Sequence, residues 1–229
     1  MNERLQAIYQ CISPGRGLID VGTDHAYIPV QLAKDAYPGL IYASDIKKGP
    51  LDSARRTAES CGVSDRIRFL LCEGLDNCPP DDVDTIVIAG MGGDTICGIL
   101  DRAEWCLSPD YTLILQPMTK QEVLRYWLVN NGFSIRDEKI VKDRRFFYQI
   151  LVVRYCGENT GMRDAELFVG SFTERTDALF PELLRREYDR MSSALEKRRK
   201  AGEDRDSASF ALLEDVVLDI KKEKERYGT

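Results

Sequence analysis

The stretch Gly17-Leu18-Ile19-Asp20-Val21-Gly22-Thr23-Asp24-His25-Ala26-Tyr27-Ile28-Pro29-Val30 decides how the rest of the chain is read. Its first six residues are a short apolar strand that ends on an acid and a glycine. The run Ile28-Pro29-Val30-Gln31-Leu32-Ala33 then opens a helix. A buried strand that turns at glycine into a helix is the first unit of a βαβ fold. The same alternation continues outward. Leu40 to Asp45, Arg66 to Leu71, Thr85 to Gly90 and Thr112 to Pro117 read as further strands, and Phe147 to Arg154 as a last one. Between them, Pro50 to Ser60 and Lys120 to Asn131 read as helices, the first with proline in its opening turn and the second stopped by Gly132. Near-continuous Val/Ile/Leu strands separated by helices predict a mainly parallel sheet covered on both faces, a doubly wound α/β fold.

The character of the chain changes after Arg154. Cys156-Gly157-Glu158-Asn159-Thr160-Gly161-Met162-Arg163 is a polar break that separates an expected α/β domain over 1–156 from an expected helical domain over 157–229. In the latter, Leu184, Tyr188, Met191, Leu195 and Arg198 form one helical stripe. Phe210, Leu213, Val217, Ile220 and Lys224 form another, and Ala201-Gly202-Glu203-Asp204 breaks the two. That pattern predicts an antiparallel, coiled-coil-like helical hairpin.

Composition bounds the function. The 229 residues carry a net charge of −6, with 43% hydrophobic and 31% charged residues, so the chain is globular and has no overall basic field. No run is apolar enough to span a bilayer, and Met1-Asn2-Glu3-Arg4 leads into a mixed helical pattern rather than a signal peptide; a cytoplasmic protein is expected. The seven cysteines (Cys11, Cys61, Cys72, Cys78, Cys97, Cys106 and Cys156) are scattered without a C-x-x-C pair, and His25 is the only histidine. This argues against a zinc site and against a disulfide scaffold; no metal and no obligate protein partner are expected.

In an open α/β sheet, ligands lie beyond the carboxyl ends of the strands, so strand ends carry the information. The loop after the first strand holds one glycine, Gly22, and two carboxylates, Asp20 and Asp24, beside Thr23. A dinucleotide would need several glycines and exposed N–H groups facing a diphosphate. This loop instead suits a cationic cofactor such as S-adenosylmethionine. Asp45, 25 residues beyond Asp20, is placed to accept hydrogen bonds from ribose hydroxyls, with Ile46 against the adenine; its bland alternative is a helix cap. Glu73, Gly74 and Leu75 follow the third strand, where they can read the adenine edge or simply form a turn. Ala89, Gly90, Met91 and Gly92 follow the fourth, and glycines there are costly unless close backbone approach is needed. Gln116-Pro117-Met118 would line the same mouth.

The runs DVGTDHAYIPV (20–30), Ser44-Asp45-Ile46, IVIAGMGGDTI (86–96), LILQPM (113–118) and the terminal RRFFYQI strand together resemble the TrmK family, bacterial tRNA methyltransferases acting on N1 of adenosine at position 22. The resemblance runs from about Leu5 to the C-terminus, and Thr23 stands where the family commonly has serine. It implies a class I methyltransferase fold, S-adenosylmethionine as cofactor, tRNA as substrate and a C-terminal helical domain used in tRNA binding. On that reading the acceptor base meets Asp24, His25 and Tyr27. Asp24 would offset charge on the base and Tyr27 would stack on it, while His25 is either a catalytic or a structural hydrogen-bonder. Two basic stretches offer contact to RNA: Arg136, Lys139, Lys142, Arg144 and Arg145 ahead of the last strand, and Arg185, Arg186, Arg190, Lys197, Arg198, Arg199 and Lys200 on the hairpin. Such runs also mark ordinary solvated faces. A methyltransferase for another RNA base or a small molecule is the alternative.

Overall fold

The computed structural model describes residues 1–173, 177–204 and 206–228, in two compact units, Met1–Thr160 and Gly161–Thr229. The first unit holds seven strands, β1 (Gly17–Val21), β2 (Leu40–Asp45), β3 (Ile67–Leu71), β4 (Thr85–Gly92), β5 (Thr112–Thr119), β6 (Phe133–Asp143) and β7 (Phe146–Tyr155), in the order β3-β2-β1-β4-β5-β7-β6. All pair in parallel except β7, which runs antiparallel to both β5 and β6.

Consecutive residues along each strand feed opposite cores. Leu18, Val87, Ile114 and Ile150 pack beneath α1 (Glu3–Tyr9), α2 (Tyr27–Lys34) and α3 (Lys48–Ser60). Ile19, Ile86, Ile88, Leu113, Leu115, Leu151 and Val153 pack on the other side beneath α4 (Gly93–Arg102) and α5 (Gln121–Asn130). Both faces are dry, which is why the strands read as unbroken apolar runs.

No strand is expected directly ahead of Phe147, yet the basic stretch containing Arg136, Lys139 and Lys142 forms β6, the edge strand of the sheet, joined to β7 through Arg144 and Arg145. A bulge between Ile135 and Asp137 shifts the register at Arg136 and so breaks the period-two alternation that would have revealed the strand. Its lysines are also what an edge strand uses to discourage pairing with another chain. The edge is tied inward by Arg125 of α5, fully buried, whose Nε donates to Glu138 Oε1 at 2.9 Å and whose Nη2 donates to Gln149 Oε1 at 2.7 Å.

The second unit contains α6 (Asp164–Val169), α7 (Phe180–Lys200) and α8 (Ala208–Arg226). Ring contact of Phe180 with Tyr227, Lys224 over Tyr188, and the Arg199–Glu214 pair at 2.5 Å set α7 and α8 antiparallel. The buried stripe of α8 is Phe210, Val216, Ile220 and Glu223, rather than one through Leu213 and Val217, which are half-buried.

Among the described residues no helix is long and apolar enough to cross a membrane. Cysteines Cys72, Cys78, Cys97 and Cys106 are buried, and burial pushes the thiols of Cys78, Cys97 and Cys106 up to about 12, which makes them poor nucleophiles.

Candidate active site

The strand order reverses between β1 and β4, and the crevice beyond their carboxyl ends is the expected ligand position of such a sheet. After β1 the chain coils tightly. Gly22, at φ +72°, and Thr23 both donate their N–H to Ser44 O, at 2.8 and 2.9 Å, which ties the loop to β2. Asp24 (φ 43°) and Ala26 (φ 53°) are left-handed without being glycine, and Ala26 N–H closes the turn on Thr23 O at 2.8 Å. Two such residues within one turn cost on the order of 1–3 kcal/mol each, a concentration of strain typical of functional loops. Inside the turn, the Thr23 hydroxyl donates to Asp20 Oδ2 at 2.6 Å. Burial dominates that hydrogen bond and raises the Asp20 carboxyl to about 6.

Two cavities open on this loop and share Gly22. The first, about 310 Å³, runs from Val21 and Gly22 past Asp45 and Ile46 to Cys72, Glu73 and Gly74, and is closed by Met91, Thr95, Gly98, Ile99 and Arg102. It is in the size range of small-molecule sites and mostly apolar, with a few fixed polar groups. Asp45 Oδ1 accepts the Lys47 N–H at 2.8 Å, so one oxygen serves the turn before α3 while the cavity side stays open to a ligand. Arg102 bridges Glu73 at 3.0 Å and Asp76 at 3.4 Å. A β-carbon at Gly22 would run into Met91 Cε, so the glycine keeps this wall flat.

The second cavity, about 210 Å³, is lined by Asp20, Gly22, Thr23, Asp24, His25, Tyr27, Ile28 and Ala89, and by Asn2, Arg4 and Leu5 of α1. It is smaller and more polar. Asp24 Oδ2 lies 3.7 Å from His25 Nε2, and the His25 and Tyr27 rings sit 5.5 Å apart, tilted by 33°. Tyr27 is about half exposed.

The structure therefore divides the residues singled out in the sequence. Gly22, Asp45, Ile46, Glu73, Gly74 and Met91 meet in the first cavity, while Asp20, Thr23 and Ala89 lie with Asp24, His25 and Tyr27 in the second. Leu75 is a core residue, and Gly90 and Gly92 line neither cavity. The glycine run is partly architectural: β4 continues through Gly92 over a bulge, and a β-carbon on Gly93 would strike Lys120 O. Gln116 is fully buried and lines neither cavity; it accepts from Arg4 and donates to Pro117 O. Sequence reasoning missed Thr95, Gly98, Ile99 and Arg102, which reach the cavity only through the packing of α4, and Asn2, Arg4 and Leu5, brought there by α1. Three members of the basic stripe of the hairpin form ion pairs within it: Arg190 with Glu187 (2.7 Å), Arg198 with Glu203, and Arg199 with Glu196 (3.1 Å) and Glu214. No group of three or more His, Cys, Asp or Glu suited to a metal ion occurs among the described residues.

Comparison with known proteins gives the family. Residues 1–151 match the family described as Methyltransferase domain. The tRNA (adenine(22)-N(1))-methyltransferase of Bacillus subtilis (strain 168) is 33% identical over 165 residues, 72% of this chain and 67% of that protein. A Streptococcus pneumoniae protein solved in complex with S-adenosyl-L-methionine superposes with a TM-score of 0.83 at 30% identity, covering 98% of this chain and 99% of its own. The crystal structure of the B. subtilis M1A22 tRNA methyltransferase TrmK gives a TM-score of 0.80 at 28% identity over 98% and 97% of the two chains. With a methyltransferase sheet order, two adjoining cavities at its switch point and these relatives, the chain belongs to the methyltransferase-domain family and, within it, to the TrmK tRNA (adenine(22)-N(1))-methyltransferases.

Proposed function

We propose that this protein transfers a methyl group from S-adenosylmethionine to N1 of adenosine 22 in tRNA, holding the cofactor in the first cavity and the acceptor adenine in the second. The observation that carries the reading is the shared wall at Gly22: two ligands placed in these cavities meet at a residue without a side chain. The residues of the first cavity fit the cofactor. Asp45 would accept from the ribose hydroxyls and Ile46 and Ile99 would flank the adenine, while the absent β-carbon of Gly22 leaves Met91 room to close the wall.

S-adenosylmethionine supplies an electrophilic methyl group on a sulfonium. Neutral adenine N1 carries a lone pair and no proton, so the protein has no proton to remove; its residues align the base and offset the charge the base acquires. Asp20 and Asp24 put carboxylates around the second cavity for that purpose, and Tyr27, half exposed at its rim, offers a stacking surface. His25, between Asp24 and Tyr27, holds the loop and the base edge together. N1 is engaged in pairing within folded RNA, so the target nucleotide is splayed out before it enters. The helical unit over 161–229 assists in tRNA binding, and a tRNA substrate makes the protein cytoplasmic.

The test is mass spectrometry of nucleosides from tRNA incubated with the protein and S-adenosylmethionine, with primer extension to locate the product. The expected result is 1-methyladenosine at position 22. A different methylated base, or no tRNA product from protein that binds the cofactor, overturns the reading.

A further inference from the structure

Arg4 stands out among the residues of the second cavity. It is presented by the first turn of α1, whose cap is Asn2 accepting the Leu5 N–H at 2.9 Å. Its Nη1 donates to Gln116 Oε1 at 2.6 Å, and Gln116 is itself fully buried with its amide donating to Pro117 O at 2.7 Å. The guanidinium carbon lies 5.6 Å from the centre of the Tyr148 ring. Gly90, left-handed at φ +80°, lets the β4 backbone pass so close that a β-carbon there would come within 3.2 Å of Arg4 Nη1. Three elements thus converge to hold one arginine. Yet among the described residues no carboxylate pairs with it, and its Nε and Nη2 find no protein acceptor, although Asp20 and Asp24 line the same cavity.

A half-buried guanidinium fixed on one edge and open on the other is prepared for an anion from outside. The acceptor base is the wrong partner, because methylation makes it cationic. Its backbone is the right one. Resting on the proposed tRNA methylation, we propose that Arg4 is a positioning residue that grips the phosphate next to the splayed-out adenosine, with Tyr148 as its platform. The surface beyond supports a strand leaving in that direction: Tyr148 and Phe146 project from the same side of β7 with rings 6.5 Å apart, and Arg145 lies 5.0 Å over Phe146. Aromatic platforms interleaved with cations are how single-stranded nucleic acid is followed without reading its sequence.

The experiment measures initial methylation rates on tRNA over a range of salt concentrations for the wild type, Arg4→Gln and Arg4→Lys, with S-adenosylhomocysteine affinity by calorimetry beside them. Arg4→Gln should raise KM for tRNA roughly tenfold and lower the slope of log KM against log salt by about one, as expected for one lost phosphate contact. Cofactor affinity should stay within about twofold, a loss too small to mark a damaged cofactor site. Arg4→Lys should keep the slope while losing part of the affinity, since it retains the charge without the fork. Should Arg4→Gln lower the melting temperature, Tyr148→Leu, which leaves the bond to Gln116 in place, carries the test and should raise KM alone. An unchanged salt slope in a folded Arg4→Gln, or a matching loss of cofactor affinity, overturns the proposal. A wild type that binds S-adenosylhomocysteine but makes no product on tRNA overturns the underlying function instead, and this inference with it.

Discussion

Met91 Cε occupies the place that the β-carbon of any other residue at position 22 would need. Gly22 is also left-handed at φ +72°, so the main penalty of Gly22→Ala lies in the backbone, with a smaller one for displacing Met91 Cε, the free end of a flexible side chain. It should lower stability by about 1–3 kcal/mol and weaken cofactor binding at least tenfold. Gly22→Ala/Met91→Ala should recover the steric part and keep the backbone part. Denaturant melts and calorimetry on both variants check this; wild-type cofactor affinity in Gly22→Ala would show that nothing binds against that wall.

The Asp45 side chain accepts the Lys47 N–H at 2.8 Å, a local turn contact whose loss costs about 1 kcal/mol. Asp45→Ala should therefore stay folded while its cofactor affinity falls by roughly two orders of magnitude, the consequence of leaving two ribose hydroxyls unpaired. Asp24→Asn and Tyr27→Ala should do the reverse, cutting turnover with cofactor binding retained. Equal loss of both quantities in all three variants would merge the two cavities into one site and contradict the division of roles.

Asp20 makes a pH prediction with a definite sign. Its folded carboxyl titrates at about 6, chiefly through burial, above the usual carboxylate range of the unfolded chain. The native state therefore binds the proton more tightly. The contribution of Asp20 to stability is full below about pH 4 and declines as pH rises through about 6. Asp20→Asn should match the wild type near pH 4 and exceed it by up to about 3 kcal/mol at pH 8. Urea melts across that range decide it; a constant difference between the two proteins would mean that Asp20 titrates normally.

Arg125 is fully buried between α5 and the β6–β7 hairpin, with Glu138 and Gln149 as acceptors. Arg125→Ala leaves Glu138, nearly buried itself, without its counter-charge and should cost about 3–5 kcal/mol. Arg125→Met/Glu138→Leu, which removes both charges and keeps the volume, should cost less than the single substitution. Denaturation midpoints distinguish the two; a milder single variant would mean that water reaches the pair.

Several elements were legible in the residues because both sheet faces are covered: β1, β2, β4 and β5 read as apolar runs, and Pro50, Gly132 and Gly202 punctuated the helices. The loop Asp20 to Tyr27 was legible as chemistry for the same local reason, an acid–glycine–acid run at a strand end. β6 was not, since an exposed edge rewards charge over hydrophobicity and its bulge at Arg136 scrambles the alternation.

What the sequence determined by itself is local: strand and helix identity, the turn at Gly22 and the acids beside it all follow from backbone preferences and burial over a few residues. Which cavity each residue enters was decided only by tertiary structure. Asp20 and Asp45 end neighbouring strands on the same sheet face yet line different cavities, and α1 brings Arg4 to Gln116, 112 positions away. Those distances are set by the packing of whole elements on the sheet, and no local spacing along the chain encodes them.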